Sequence, residues 1–466
     1  MLFSWEEVLR ITAGRPWRGG AAGGFRGGAI DSRQVKGGEL FFPLPGEKKN
    51  GHVFIADALR RGAAGSLLEE KWLPRFARES FPPDKAIIVV ENSLHALHKI
   101  AADYRNRFAL PVVAVTGSNG KTTTKDLIAA VLSTRYNVLK TEGNFNNHLG
   151  LPLMLLRLKK EHQAAVLELG MNGPGEIALL TALCRPSRGV ITNVGEAHLE
   201  FLGSRENIAK AKGELLAGMV ARGKVFLNGD DPFLNRLGQE YAGETSYFGF
   251  NKGADLQALA YTLTDSGCTF RALLPGSKQE EFLIPLPGRH NVYNALAAVA
   301  VGLDFSLEIE AIQEGLAKSI PSAMRLEKTL TKSGFWVIND AYNANPTSVR
   351  SALQILKEWG LNRQKIAILG DMFELGPQAK EMHLAVGRHL VVLGIDYLCT
   401  VGKLAAYIAQ GAREAGLAPA KIFAADSKEE ILHNLASLSL PGSCILVKGS
   451  RGMQMEKIVE ELLNRY

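Results

Sequence analysis

The stretch from Val112 to Arg135 constrains the fold more than any other part of the chain. An apolar run, VVAVT, breaks at Gly117, turns through Ser118 and Asn119 to Gly120, and continues as KTTTKDLIAAVLSTR with helical spacing. A strand that leaves a Gly-rich turn as a helix crosses back over its own sheet, which predicts parallel strands with helices on the faces. The turn also gathers backbone N–H groups and a helix N-terminus around an anion. Thr116, Gly117, Ser118, Asn119, Gly120, Lys121, Thr122 and Thr123 form the expected phosphate-binding unit. Lys121 would bring charge to the outer phosphates, and the Thr122 hydroxyl would face Mg²⁺. The usual spacing is G-x-x-x-x-G-K-[ST], whereas only two residues separate the glycines here. Shortening tightens the loop and removes none of its chemical groups. The plain alternative is a tight turn with an incidental lysine.

The same alternation organises the rest of the chain. At 466 residues the length suits about three domains. Up to residue 108, short strands such as GELFFPL and AIIVV are each followed by a helical pattern, and HALHKIAADYRNRF closes that segment. From 109 to 320 the runs VVAVTG, AAVLELG, GVITNV and KVFLNGD alternate with helices and predict a parallel central sheet. After IPSAMR, the segment 321–466 offers WVIND, KIAILGD, DYLCTVG and CILVKG as strands of a second, smaller doubly wound sheet. The expected class is therefore α/β, with a small N-terminal α/β domain, a P-loop-type central domain and a Rossmann-like C-terminal domain.

Composition narrows the partners. The net charge of +7 is spread along the chain, with no run of five or six Lys/Arg that would make a nucleic-acid arm. A diffuse basic excess fits an anionic substrate, or solubility alone. The start, MLFSWEEVLR, is acidic, and no apolar run approaches a membrane span, so a cytoplasmic protein without membrane insertion is expected. Cys184, Cys268, Cys399 and Cys444 lack zinc-ligand spacing and are expected as free thiols in cores.

Candidate metal-holding groups come from the strand ends. Glu168 ends AAVLELG, and His198 follows GVITNV in VGEAHLE, so both reach the C-terminal rim of the sheet beside the loop. Lys212 is unusual: on the helix ENIAKAKGELLAGMV it shares a face with Ile208, Leu215 and Leu216, whereas Lys210 points elsewhere. Either its amine snorkels to water, or it is neutralised or modified.

The combination TGSNGKTT, LELG, AHLEFLGSRENIAKAKGE, GRHNVYNALAA and INDAYNANPTS resembles the Mur ligases, ATP-dependent amide-forming enzymes of peptidoglycan synthesis. Their loop is T-G-x-x-G-K-[ST], so the short spacing is that family's form. The stretch DSRQVKGGELFFPLPGEKKNGHVF resembles the family's uridine-nucleotide-binding domain, with Ser32 and Arg33 in matching positions and Asn50 where an Asp is common. TEGNFNNHLGLPLMLL, DAYNANPTS and LGDMFELG look like the member that adds D-alanyl-D-alanine to UDP-N-acetylmuramoyl-tripeptide, and the D-N-P-R signature of the diaminopimelate-adding member is absent. The resemblance implies an acyl phosphate made with ATP, two Mg²⁺ ions, and a carbamylated Lys212 that holds metal together with Glu168 and His198. The protein is expected to be a monomer.

Further roles follow residue by residue. Asn294 would read the adenine edge with Asn291 one turn earlier; on pattern alone the two are a helix cap and an exposed amide. Arg325 would reach the γ-phosphate from the third domain, and Asp340 would accept from the ribose or hold the domain closed. Asn144, Asn146 and Asn147 would read the sugar or peptide of the nucleotide substrate. Tyr342 and Asn343 are expected at the substrate, although Asn-Ala-Asn-Pro is equally a turn signal that includes Asn345. His383, LGDMFELG and KGSR (Lys448 to Arg451) lie where the dipeptide should enter. The rival readings are another Mur-type or folylpolyglutamate-synthetase-like ligase, and a non-catalytic nucleotide-binding partner.

Overall fold

The computed structural model describes residues 1–19, 23–46, 49–77, 81–82, 84–220, 223–264, 266–435 and 441–465, which build three sheets in chain order. The first contains β1 (Arg15–Arg18), β2 (Gly27–Ala29), β3 (Glu39–Phe41), β4 (Gly65–Glu69) and β5 (Ala86–Val90), in the order β1-β5-β4-β3-β2. Only β1 runs antiparallel to its neighbour. Every residue of β4 and β5 is buried, as in parallel strands covered on both faces.

The helix Ser93–Asn106 joins this sheet to the next layer. Asn92 caps it by accepting from the His95 N–H. Ala96, Leu97 and Ile100 share one core with Leu151, Met154 and Leu155. The His98 ring sits 2.7 Å from the His148 carbonyl, and the Tyr104 hydroxyl donates to Leu158 O at 2.8 Å. The first two domains thus meet across an apolar seam.

The second sheet has nine strands: β6 (Val112–Thr116), β7 (Val138–Lys140), β8 (Ala164–Glu168), β9 (Arg188–Ile191), β10 (Lys224–Asn228), β11 (Glu244–Gly249), β12 (Leu256–Thr264), β13 (Gly267–Leu273) and β14 (Gln279–Ile284). Their order is β14-β13-β12-β11-β10-β9-β6-β8-β7. From β7 to β12 every pair is parallel, as the alternation predicts. The sheet then departs from expectation, because β12, β13 and β14 pair antiparallel. Only residues 265 and 266 separate β12 from β13, too few for a parallel crossover. The central sheet is therefore mixed.

The third sheet contains β15 (Glu327–Leu330), β16 (Trp336–Asn339), β17 (Lys365–Gly370), β18 (Tyr397–Val401), β19 (Ile422–Ala425) and β20 (Cys444–Lys448), ordered β15-β16-β20-β17-β18-β19. The four expected strands are its centre. The two unexpected ones, β15 and β19, are edges whose exposed positions mask their pattern. Only β15 is antiparallel. All four cysteines are free and buried, and burial pushes the Cys184, Cys268 and Cys399 thiols up to about 12. Among the described residues no helix is long and apolar enough to cross a membrane.

Candidate active site

Between the C-terminal rim of the second sheet and the third domain lies a cavity of about 520 Å³. Its floor is the short loop after β6. Gly117 (φ 149°) and Gly120 (φ 80°) occupy backbone regions that favour glycine, and a Cβ on either would overlap Thr192 or Asn294 Oδ1. The loop is held by the segment after β9. Ser118 N donates to Asn193 O at 3.0 Å, Asn119 N donates to Asn193 Oδ1 at 3.0 Å, and the Ser118 hydroxyl accepts from Gly195 N at 2.8 Å. Asn119 O accepts from the Thr192 hydroxyl at 2.6 Å and from Asn193 Nδ2 at 3.0 Å. Thr116 is fully buried and donates to Leu169 O at 2.9 Å; it anchors the loop and does not reach the cavity.

Lys121 donates to the carbonyls of Gly117 (2.8 Å) and Ser118 (3.3 Å). Burial lowers its pKa, Glu168 opposes that shift, and Arg325 adds to it. The Thr122 hydroxyl accepts from Arg325 Nη2 at 3.0 Å, so a side chain of the third domain already meets the loop. Arg325 also stacks on Tyr342, with 4.2 Å to the ring centroid. Its neighbours Met324 (φ 58°) and Leu326 (φ 55°) are both left-handed, a strained backbone that aims the guanidinium. Thr123 lines the cavity.

Asn291 and Asn294 are buried and are neither cap nor exposed amide. Thr124 donates to Asn294 Oδ1 at 3.1 Å, Asn294 Nδ2 donates to Asn291 Oδ1 at 3.0 Å, and Asn291 Nδ2 donates to Pro287 O at 2.8 Å. This relay ties the helix Arg289–Asp304 to the helix Lys121–Leu132, and both amides also border the cavity.

Glu168 ends β8 on the cavity wall. Its Oε1 accepts from Asn146 Nδ2 at 2.8 Å, while its Oε2 is buried with no partner. His198 stands on the wall in a left-handed conformation (φ 60°), with Nδ1 2.6 Å from a Glu374 carboxylate oxygen. That contact is the main reason the Glu374 carboxyl lies below its usual range. Lys212 is 1% exposed and has no hydrogen bond or ion pair among the described residues; it is not on the cavity wall. Burial, aided by the Lys121 charge, depresses its amine well below the ordinary value. Among the described residues no three His, Cys, Asp or Glu side chains cluster as a metal set. A Mg²⁺ here would need further oxygen donors, and the orphaned Glu168 oxygen and the Thr122 hydroxyl fit that need.

Other expected residues divide. Asn146 and Asn147 line the cavity; the Asn147 side chain also caps the helix Gly150–Leu155 by accepting from Gly150 N at 2.9 Å. Asn144 does not reach it: the residue is an exposed turn position whose carbonyl accepts from Asn146 N. Tyr342, Asn343 and Asp340 line it. Asp340 holds Lys448 Nζ (2.6 Å) and Leu326 N (3.3 Å), contacts inside the third domain. Asn345 caps the helix Pro346–Trp359 and donates to Asn119 Oδ1 at 2.8 Å across the domain boundary.

His383 is corrected from ligand contact to loop support. It is fully buried, its Nε2 accepts from Met372 N at 3.0 Å, and its Nδ1 lies 2.6 Å from Ala379 O. The loop it pins presents Phe373 and Glu374 to the cavity. Ser32 and Arg33 lie in the first domain, away from this cavity; Ser32 is buried and the exposed Arg33 pairs with Asp31 at 2.7 Å. Sequence reasoning missed Asn193 and Glu196, for which the polar run NVGEAH directly after a strand was the available signal, and it placed Glu374 only within LGDMFELG, as part of the dipeptide entry.

Family models match three successive parts of the chain: "Mur ligase family, catalytic domain" over 25–105, "Mur ligase middle domain" over 115–302 and "Mur ligase, glutamate ligase domain" over 324–451. A UDP-N-acetylmuramoyl-tripeptide--D-alanyl-D-alanine ligase of Bacillus subtilis (strain 168) is 40% identical over 438 residues, which cover 94% of this chain and 93% of that one. A solved MurF from Acinetobacter baumannii aligns with TM-score 0.89 at 31% identity over 99% of both chains. MurF ligase from Thermotoga maritima in complex with ADP aligns at 0.81 and 29% identity, over 95% of this chain and 99% of that one. With family models matched in order to all three domains, and a relative 40% identical over nearly the whole chain, the chain belongs to the Mur ligase family.

Proposed function

We propose that this protein is the ATP-dependent ligase that joins D-alanyl-D-alanine to UDP-N-acetylmuramoyl-tripeptide, giving the pentapeptide, ADP and phosphate. The observation that carries the reading is the near full-length likeness to ligases named for that reaction, at 40% identity. The proposed division of labour is uridine-nucleotide binding by residues 1–108, ATP binding by 109–320, and dipeptide binding with completion of the ATP site by 321–466. The protein is proposed to act in the cytoplasm as a monomer.

Joining a carboxylate to an amine needs an activated acyl group. Transfer of the γ-phosphoryl group to the tripeptide carboxylate gives an acyl phosphate, the neutral dipeptide amine attacks it, and the tetrahedral intermediate expels phosphate. The protein needs no covalent intermediate of its own, so positioning and charge carry the catalysis. Lys121 would exchange its loop carbonyls for the β- and γ-phosphates, and Arg325 would turn from Thr122 to the transferring group. Asn193 fixes the loop by accepting from Ser118 N and Asn119 N, and the remaining N–H groups of the loop and helix start would hold the phosphate chain. Thr122, Glu168, His198 and a carbamylated Lys212 would hold Mg²⁺, which would supply charge neutralisation for phosphoryl transfer.

Amine-acceptor profiling tests the proposal. ADP release with UDP-N-acetylmuramoyl-tripeptide is expected with D-alanyl-D-alanine and not with single amino acids or glutamate. Equal turnover with glutamate, or release only with a folate acceptor, would instead support the folylpolyglutamate-synthetase-like alternative.

A further inference from the structure

The loop that follows β17 crosses from the third domain to the second at one place. Glu374, itself left-handed (φ 62°), brings its carboxylate to 2.6 Å from His198 Nδ1, and its carbonyl accepts from Glu200 N at 3.0 Å. Two residues on, Gly376 (φ 59°) lies so near that a Cβ there would stand 3.2 Å from Glu200 Cα. The other end of the same second-domain segment is also held: Glu196 accepts from the Thr347 hydroxyl at 2.5 Å and from Arg350 Nη2 at 3.3 Å. His198 is itself in a conformation that a non-glycine residue adopts only when its surroundings impose it. The third domain supplies part of those surroundings, beside the helix Leu199–Leu202 that His198 begins.

We propose that Glu374 is a positioning residue that fixes the ring of His198 from across the domain boundary, so that His198 is set to hold metal only when the third domain is docked. The Glu374 carboxylate stands 2.6 Å from His198 Nδ1 without the alignment of a hydrogen bond; once aligned, it would favour the tautomer with its proton there and leave the Nε2 lone pair free for a cation. Docking and completion of the metal set thereby become one event. The inference rests on the reading of His198 as a metal-holding residue, and the test separates the two.

The test measures Mn²⁺ binding by electron paramagnetic resonance on the full-length protein with ADP and UDP-N-acetylmuramoyl-tripeptide present. Glu374→Ala is expected to weaken Mn²⁺ about 10- to 100-fold, the usual effect of losing the carboxylate partner of a metal-bound histidine. Glu374→Gln, whose amide oxygen can accept from the same N–H, is expected to stay within about threefold of the parent by the same reasoning. Arg350→Ala loses a contact at the same boundary while leaving His198 and Glu374 intact, and is also expected to bind like the parent. In turnover, Glu374→Ala is expected to lower kcat while KM for the dipeptide is retained. Parent-like Mn²⁺ binding by Glu374→Ala beside weakened binding by His198→Ala would overturn the positioning role alone. Equal weakening by Glu374→Ala and Arg350→Ala would overturn it too, since docking in general would then be responsible. Parent-like binding by His198→Ala would remove the metal reading and this inference together.

Discussion

Lys212→Met separates a functional lysine from a structural one, because the two roles predict opposite changes in stability. The side chain is 1% exposed on the helix Arg205–Ala217, shares its face with the buried Ile208, Leu215 and Leu216, and has no polar partner among the described residues. Burying an unpaired polar group costs about 1–3 kcal/mol in proteins. Methionine has similar length and helix propensity with no polar atom to desolvate. In CO₂-depleted buffer without nucleotide, Lys212→Met should therefore be about 1–3 kcal/mol more stable than the parent. At about 2–4 °C per kcal/mol for domains of this size, the thermal midpoint should rise by roughly 2–12 °C. Turnover should fall at least about a hundredfold, since no carbamate can form and a charge contact made to the reacting groups is lost. Lys210→Met, at an exposed position two residues away, should change neither quantity. In Lys212→Ala, acetate or chloride should restore part of the activity by occupying the vacated anionic position. A Lys212→Met protein that is less stable than the parent and still turns over would refute both the orphaned amine and its role.

Three further outcomes follow from the same geometry. Lys121→Ala should reduce single-turnover acyl phosphate formation by about 10²–10³-fold, the cost of losing one preorganised charge-stabilising group, and a rate within tenfold of the parent would contradict its assignment. Gly120→Ala places a side chain at φ 80° against Asn294, a strain of about 1–2 kcal/mol before any overlap, so calorimetry should find ATP bound at least about tenfold more weakly; unchanged affinity would show the loop can yield. His52 and His290 are held at about 4 by burial, against 6.5 when unfolded, so the unfolded chain binds more protons as pH falls. Stability should be full above about pH 6.5 and decline toward pH 4, and His52→Gln with His290→Gln should flatten that decline in thermal scans; an equal decline would refute it.

Local features were legible in the sequence and contacts between distant segments were not. The phosphate loop lies within eight consecutive residues, and its glycines are required for reasons visible in the spacing. Lys212 could be singled out because one lysine among Ile208, Leu215 and Leu216 violates a helical pattern. The antiparallel β12–β14 extension was hidden because its strands are half-exposed and carry no helix signal to contradict a parallel reading. Asn291 and Asn294 could be singled out from the sequence, but the relay from Asn294 to Thr124 joins positions 170 residues apart. His383 shows the converse limit: a histidine near a strand end looks like a ligand contact, and only the fold reveals that both its ring nitrogens are engaged within its own domain.

The two domain boundaries also differ in kind, and that difference bears on how the site works. The first and second domains share an apolar core through Ala96, Leu97, Ile100, Leu151 and Leu155, and parting them would expose that surface to water. The second and third meet through polar groups, Arg325 with Thr122, Asn345 with Asn119, Arg350 with Glu196 and Ser322 with Asp126, and through apolar contacts of Ile355 with Gly288 and of Met382 with the core of the first two domains. Water can replace each of those polar partners at little net cost. Of the two boundaries, the one that bears the cavity would therefore be the easier to open. The first domain would move with the second, carrying the nucleotide substrate and the phosphate loop as one body. The third domain would bring Arg325 and Glu374 as it docks, so the polar character of that boundary is what allows substrates to enter a site that closure completes.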